Sequence, residues 1–327
     1  MQVDIRKPTI IALAALILSG PAAAQVKNGF DVREALIPYR EIRAGGPPRD
    51  GVPALTDPVR EAVEEADRWL EDDDRVMGLV VNGEAVAYPI RILNWHEVVN
   101  DVVGGRSLAV TYCPLCGTGV VFDATPGEGR MLFGVSGLLY KSDVLLFDRR
   151  TESLFSQLMR KAVSGPLSGT ELKVVPSRTT TWDAWKARHP DSSVMSLLTG
   201  HFLDYGTDPY RWYHKSSRPM FPVRDADRSR GLKEWAWLVL ADDESIIVAE
   251  EVLAELAEEE VGTFRTKRGV VLRYDPAARE LTAAGPGGRP IVIPGYWFAL
   301  TAFYPQSHRI RVGNLESLPT QQDPPVP

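Results

Sequence analysis

Cys113 and Cys116 are the only two cysteines of the chain, and they stand three positions apart in Cys113-Pro114-Leu115-Cys116-Gly117. Thiols at this spacing serve different chemistries. At a helix N-terminus the first thiol has a depressed pKa and attacks disulfides, with Cys116 as the resolving thiol. In a metal knuckle the turn aims both sulfurs at one ion, and a glycine after the second cysteine lets the backbone curl. The flanks favour the knuckle: Gly117-Thr118-Gly119 runs into strand-like Val120-Val121-Phe122, where a thioredoxin-like site needs an amphipathic helix. A structural disulfide in a non-catalytic interaction protein is the third reading.

A knuckle supplies two ligands, so the others must come from His, Asp, Glu or Met. The chain has five histidines: His96, His189, His201, His214 and His308. His96, in Asn94-Trp95-His96-Glu97, lies one element before the knuckle and is the best placed. A histidine taken alone is as often a hydrogen-bonded helix residue. Cys113, Cys116 and His96 would then be thiolate, thiolate and imidazole ligands, with Glu97 or Asp101 orienting them. Such a set suits zinc, or copper(I) with its taste for soft donors. A second polar run holds Ser136, Tyr140, Asp148, Arg149, Glu152 and Gln157. These residues either line a pocket beside the cysteine turn or, as we prefer, make turns and salt bridges at strand ends. The chain has no G-x-S-x-G elbow, Walker loop or dinucleotide fingerprint, so no nucleotide cofactor is expected.

These residues must be held by something, and the sequence suggests what. Asp57-Pro58 reads as a helix start, with Val63, Ala66 and Leu70 on one face. Val76 to Val81, Asn82-Gly83 and Glu84 to Ile90 make a hairpin. Leu93 to Val103 reads as a short helix with Trp95, Val98, Val99 and Val102 inward, stopped by Gly104-Gly105. Ser107 to Tyr112 is a strand leading into the cysteine turn, and Met131 to Phe147 is β-rich. Thr181 to His189 reads as a helix containing Trp182 and Trp185.

The second half repeats this order. Trp235–Leu240 and Ser245–Ala249 form a hairpin, Val252–Glu260 a helix, and Gly269–Tyr274 a strand. Thr111-Tyr112-Cys113-Pro114 aligns with Arg273-Tyr274-Asp275-Pro276, and Trp182-Asp183-Ala184-Trp185 with Trp297-Phe298-Ala299-Leu300. The expected fold is therefore α+β and strand-rich, two similar halves from an internal duplication, each with hairpins and a short helix. The expected organisation is a signal peptide over 1–24, and a lead-in with a Gly/Pro-rich loop over 25–58. The first repeat follows over 59–200, a connection over 201–230, a cysteine-free repeat over 231–316 and a disordered tail over 317–327.

The start of the chain bears on compartment. Arg6 and Lys7, the apolar run Ile10 to Leu18 and Ala22-Ala23-Ala24 match an export signal cleaved after Ala24. Such a protein works in a periplasm or outside the cell, without a stable membrane span in its mature form. The net charge of −6 argues against a nucleic-acid partner. A small molecule or a periplasmic protein is left as partner.

Several segments together resemble one family: Gly45-Gly46-Pro47-Pro48-Arg49-Asp50-Gly51, Ala87-Tyr88-Pro89, Asn94-Trp95-His96-Glu97-Val98-Val99-Asn100-Asp101, Thr111-Tyr112-Cys113-Pro114-Leu115-Cys116-Gly117, Phe133-Gly134-Val135-Ser136-Gly137 and Phe221-Pro222-Val223. Trp297-Phe298 and Phe303-Tyr304-Pro305 are similar too. The chain resembles domain-of-unknown-function family 3179. The resemblance implies an exported protein with His96, Cys113 and Cys116 in its signature, and it supplies no activity.

Overall fold

The structure is a computed structural model that describes residues 25–125, 129–242, 244–258 and 260–319. The expected signal peptide and residues 320–327 of the expected tail lie outside these.

Strands take 40% of the chain and helices 15%. Apart from a two-stranded ribbon, the strands form five sheets of four or five strands, arranged as five blades of a β-propeller. This corrects the expected α+β fold of two halves. The reason is physical. The longest helix among the described residues, Glu250–Ala257, has eight residues, which is too short to form a layer of its own. The valine-rich segments pair edge to edge instead, since β-branched side chains suit a pleated surface.

In the first half, β1 (Arg75–Val81) and β2 (Glu84–Pro89) pair around Asn82-Gly83, both at positive φ as a type I′ turn requires. Helix α1 (Ile90–His96) follows at once. The helix expected over 93–103 stops there. Glu97 takes a left-handed φ of 56°, and Val98–Val103 becomes strand β3. Gly104-Gly105 turns the chain into β4 (Arg106–Cys113) instead of stopping a helix. Strand β5 (Thr118–Asp123) returns beside β4, with Cys113 opposite Thr118. The helix expected after Asp57 is also reduced. Asp57 itself lies at φ 49°, Arg60–Ala62 is a strand, and only Val63–Ala66 is helical.

A separate sheet follows, built on β6 (Phe133–Tyr140), β7 (Asp143–Asp148), β8 (Leu154–Ser156) and β9 (Lys161–Ser164). Strand β10 (Arg178–Thr181) then pairs with β1. Helix α2 (Trp182–Arg188) starts from a Thr181 cap, and β11 (Ser193–Met195) lies parallel to β2.

The second half runs through the same connections. Strands β12 (Trp235–Leu240) and β13 (Ser245–Ala249) form a hairpin, and α3 (Glu250–Ala257) follows. A meander comes next: β14 (Gly262–Thr266), β15 (Val271–Asp275) and β16 (Glu280–Ala284). Strand β17 (Ile291–Tyr296) pairs with β12, α4 (Trp297–Phe303) follows, and β18 (His308–Arg309) lies parallel to β13.

The halves are not separate bodies, because each meander docks on the other half. The Tyr296 N–H donates to the Cys116 carbonyl at 2.7 Å, and the Thr181 N–H donates to the Ala278 carbonyl at 3.2 Å. Cys116 and Ala278 occupy equivalent places, each three residues past the end of its strand. The β6–β9 sheet has no counterpart. The largest core cluster joins Cys113 and Cys116 to Phe133, Phe155, Trp237 and Trp297, so the cysteine turn lies at the heart of the molecule.

Candidate metal centre

The cysteine turn is closed by its own backbone. The Cys113 carbonyl accepts from the N–H of Cys116 at 3.1 Å and of Gly117 at 2.8 Å. Gly117 has φ +66°, and a Cβ there would meet the Trp235 ring at 2.6 Å, so only glycine fits. Both cysteines are free thiols and essentially fully buried.

The sulfurs face the hairpin that joins β6 to β7. The Cys116 thiol donates to the Ser142 carbonyl at 3.3 Å, and Cys113 Sγ lies 3.7 Å from the same oxygen. That turn is Lys141-Ser142, with φ of 49° and 67° and neither glycine nor asparagine in it. Each residue held left-handed costs about 1–2 kcal/mol. Asp143 begins β7 next to it and is wholly buried. Its Oδ2 accepts from the Leu158 N–H at 3.0 Å, while Oδ1 is buried with no hydrogen-bond partner among the described residues. A thiol sulfur of Cys113, one of Cys116 and a carboxylate oxygen of Asp143 lie within 4.8 Å of one another.

Burial governs the charge of this cluster. Desolvation raises the Cys113 thiol, helped by Asp143 and Glu97 and opposed by contact with Cys116. It raises Cys116 well above the usual cysteine value. Desolvation also pushes Asp143 up to about 8, against the backbone N–H groups of Leu158 and Val144 and the Cys113 thiol. Glu97 is pushed up to about 7 by the same cause, with the Tyr210 hydroxyl opposing. Three acids this close in a dry core either keep their protons or give them up to a cation. Raised thiols are the reverse of what a nucleophilic cysteine needs. Two thiolates and a carboxylate match the donor types of zinc, and three protein ligands leave a fourth position open.

His96 stands elsewhere. Its Nδ1 faces the Pro53 carbonyl at 2.7 Å, and its Nε2 faces the Tyr205 hydroxyl at 2.6 Å. A carbonyl only accepts, so Nδ1 carries the proton and the Nε2 lone pair accepts from Tyr205. Desolvation pulls its pKa down to about 4; the bond to Pro53 opposes this and His201 adds to it. Both ring nitrogens are thus engaged away from the thiols. Asp101 accepts from the Tyr88 hydroxyl at 2.6 Å and pairs with Arg60 at 2.6 Å. Glu97 meets Tyr210 at 3.4 Å.

The polar run distributes itself likewise. Ser136 bonds the Leu145 carbonyl, and Tyr140 packs edge-on to Phe303. Asp148 accepts from the Thr151 hydroxyl at 2.7 Å and ties down the turn. Arg149 pairs with Asp50 at 2.8 Å and Glu152 with Arg49 at 2.9 Å. Of these six, Gln157 reaches the cysteine strands. It accepts from the Thr118 hydroxyl at 2.7 Å and donates to Thr111 at 2.9 Å, pinning β4 to β5 under the turn. Asp143 itself was within the polar run, and only the Lys141-Ser142 hairpin brings it to the thiols.

The fold and this cluster define a five-bladed propeller with a buried site of two thiols and one carboxylate. The chain matches the family described as Protein of unknown function (DUF3179) over residues 49–293, well over half its length, and belongs to that family. No curated protein and no solved structure matches it. No helix among the described residues is long and apolar enough to cross a membrane.

Proposed function

We propose that this chain is an exported metal-binding protein whose centre is Cys113, Cys116 and Asp143, holding zinc or copper(I). One observation carries the reading. Among the described residues the Asp143 Oδ1 is a buried oxygen without a hydrogen-bond partner, and the carboxylate lies beside two free buried thiols. An unpaired buried polar atom costs about 1–3 kcal/mol, and a shared cation removes that cost. The carboxylate favours zinc over copper(I), which prefers all-soft ligands. Export rests on the leader pattern of residues 1–24. Thiol–disulfide exchange is supported less well, because both thiols are buried and raised in pKa.

Elemental analysis of the mature protein, purified from periplasm without chelator, tests this. Near-stoichiometric zinc or copper is expected, lost in Cys113→Ser and in Asp143→Asn. A metal-free wild-type chain that cycles between dithiol and disulfide would overturn the metal reading in favour of the redox one.

A further inference from the structure

On the outer side of the cysteine turn lies a polar cleft of about 530 Å³, lined by residues of both halves. Its size is within the range of small-molecule sites. We infer that this cleft binds a small dipolar molecule of the amino-acid class, with its carboxylate toward Arg75, Arg279 and Lys233 and its ammonium toward Asn94 and Asp208. The inference does not rest on the metal reading.

Two groups of opposite polarity carry it. Asn94 is 7% exposed and lines the cleft, and among the described residues its Oδ1 is a buried acceptor with no donor. Trp235 also lines the cleft, and among the described residues its Nε1–H is a buried donor with no acceptor. A ligand that serves both must itself both donate and accept. The cleft carries both signs of charge, Asp73, Asp74 and Asp208 with Arg75, Lys233 and Arg279. The Asn94 amide donates to Asp208 at 3.2 Å, and the other Asp208 oxygen faces His214 at 3.4 Å, which makes an acidic corner. The Lys233 ammonium donates to the Tyr213 carbonyl and sits 3.6 Å over the Tyr213 ring and 4.7 Å over the Tyr296 ring. Arg75 donates to the carbonyls of Ala278 and Arg279, holding two guanidinium side chains on one rim. Tyr112, the residue before Cys113, lines the cleft within electrostatic reach of both Arg75 and Asp208.

The local folding explains why the groups are left over. Side chains alternate along β4, so Tyr112 and Cys113 face opposite sides of the strand. The Trp235 ring is held by packing on Gly117 and edge-on against Tyr296, 5.6 Å between centroids, which fixes where its N–H points.

Isothermal titration of the full chain with L-serine and L-aspartate, beside acetate and ethanolamine, tests the inference. At least one amino acid is expected to bind, with both half-molecules at least tenfold weaker. Arg279→Gln and Asn94→Leu should each weaken binding tenfold or more. Arg279 is half exposed and its guanidinium meets Glu250 at 3.7 Å, so the urea midpoint of Arg279→Gln is measured beside its binding. Cys113→Ser should retain binding, which separates this site from the metal centre. If neither amino acid binds the inference is overturned, and so it is if affinities are unchanged in both variants.

Discussion

A carboxylate buried against two thiols can be protonated or neutralised by a cation, and at the residue scale this sets a pH dependence. The raised values of Cys113, Cys116 and Asp143 mean that metal must displace protons. Apparent affinity should therefore fall as pH is lowered from 8 to 6, in competition with a chromophoric chelator; a flat profile would argue against thiolate ligation. His96 makes a second test. Its folded pKa of about 4 lies below the unfolded value of about 6.5. Between these limits the unfolded chain binds a proton that the folded chain refuses, so stability falls as pH drops through that window. Glu97, raised to about 7, acts with the opposite sign. The quantity to measure is thus the difference between wild type and His96→Gln in urea unfolding at pH 7.5 and 5. The variant should lose less stability on acidification and keep its metal; metal loss in His96→Gln would return His96 to the centre. The spacing of Cys113 and Cys116 made them legible in the sequence. Asp143 was not, since two strands of different sheets separate it from them and only the hairpin brings it back.

At the scale of elements, the informative residues are those that set turns. Asn82-Gly83 announced its hairpin because both positions need positive φ. Lys141-Ser142 adopts the same turn with residues that disfavour it, so nothing in its composition revealed the hairpin that faces the thiols. The segment 93–103 misled for another reason. Trp95, Val98, Val99 and Val102 fit a helical spacing, yet four valines in six positions favour a strand, and Val102 ends up exposed. The cysteine turn gives a direct test of such packing. Gly117→Ala pays the left-handed penalty of about 1–2 kcal/mol and also drives a Cβ to 2.6 Å from the Trp235 ring, an overpacking cost of about 1–3 kcal/mol. Gly105→Ala, at φ +75° with nothing within 4 Å, pays the first cost alone. Thermal unfolding should place Gly117→Ala several degrees below Gly105→Ala, with metal content reduced only in the former. Equal melting temperatures would mean that Trp235 yields freely and does not brace the turn.

For the whole molecule, the similar order of hairpin, helix and meander in the two parts of the chain was visible in local patterns, but the five-bladed arrangement that joins them was not. Each meander turn finds its partner in the other part of the chain: Cys116 meets Tyr296, and Ala278 meets Thr181. The two equivalent turns then diverge. Where the first copy has Thr118, bonded to Gln157, the second has Glu280, clamped by Arg178 at 2.7 Å and Arg188 at 2.5 Å. The second turn is thereby committed to an ion triad, and the thiols sit only in the first. Exchange of this kind forbids either half from completing its own core, because Trp237 and Trp297 share one cluster with Cys113 and Phe133. A chain cut between Ser217 and Arg218 should therefore give two fragments that show no cooperative transition alone. Mixed at equal concentration, they should form a one-to-one complex with the far-ultraviolet dichroism and single urea transition of the intact protein. A fragment that melts sigmoidally on its own would show that one copy closes a core unaided. The contacts at Cys116 and Ala278 would then be docking between finished domains, and Gly117→Ala should separate them without unfolding either.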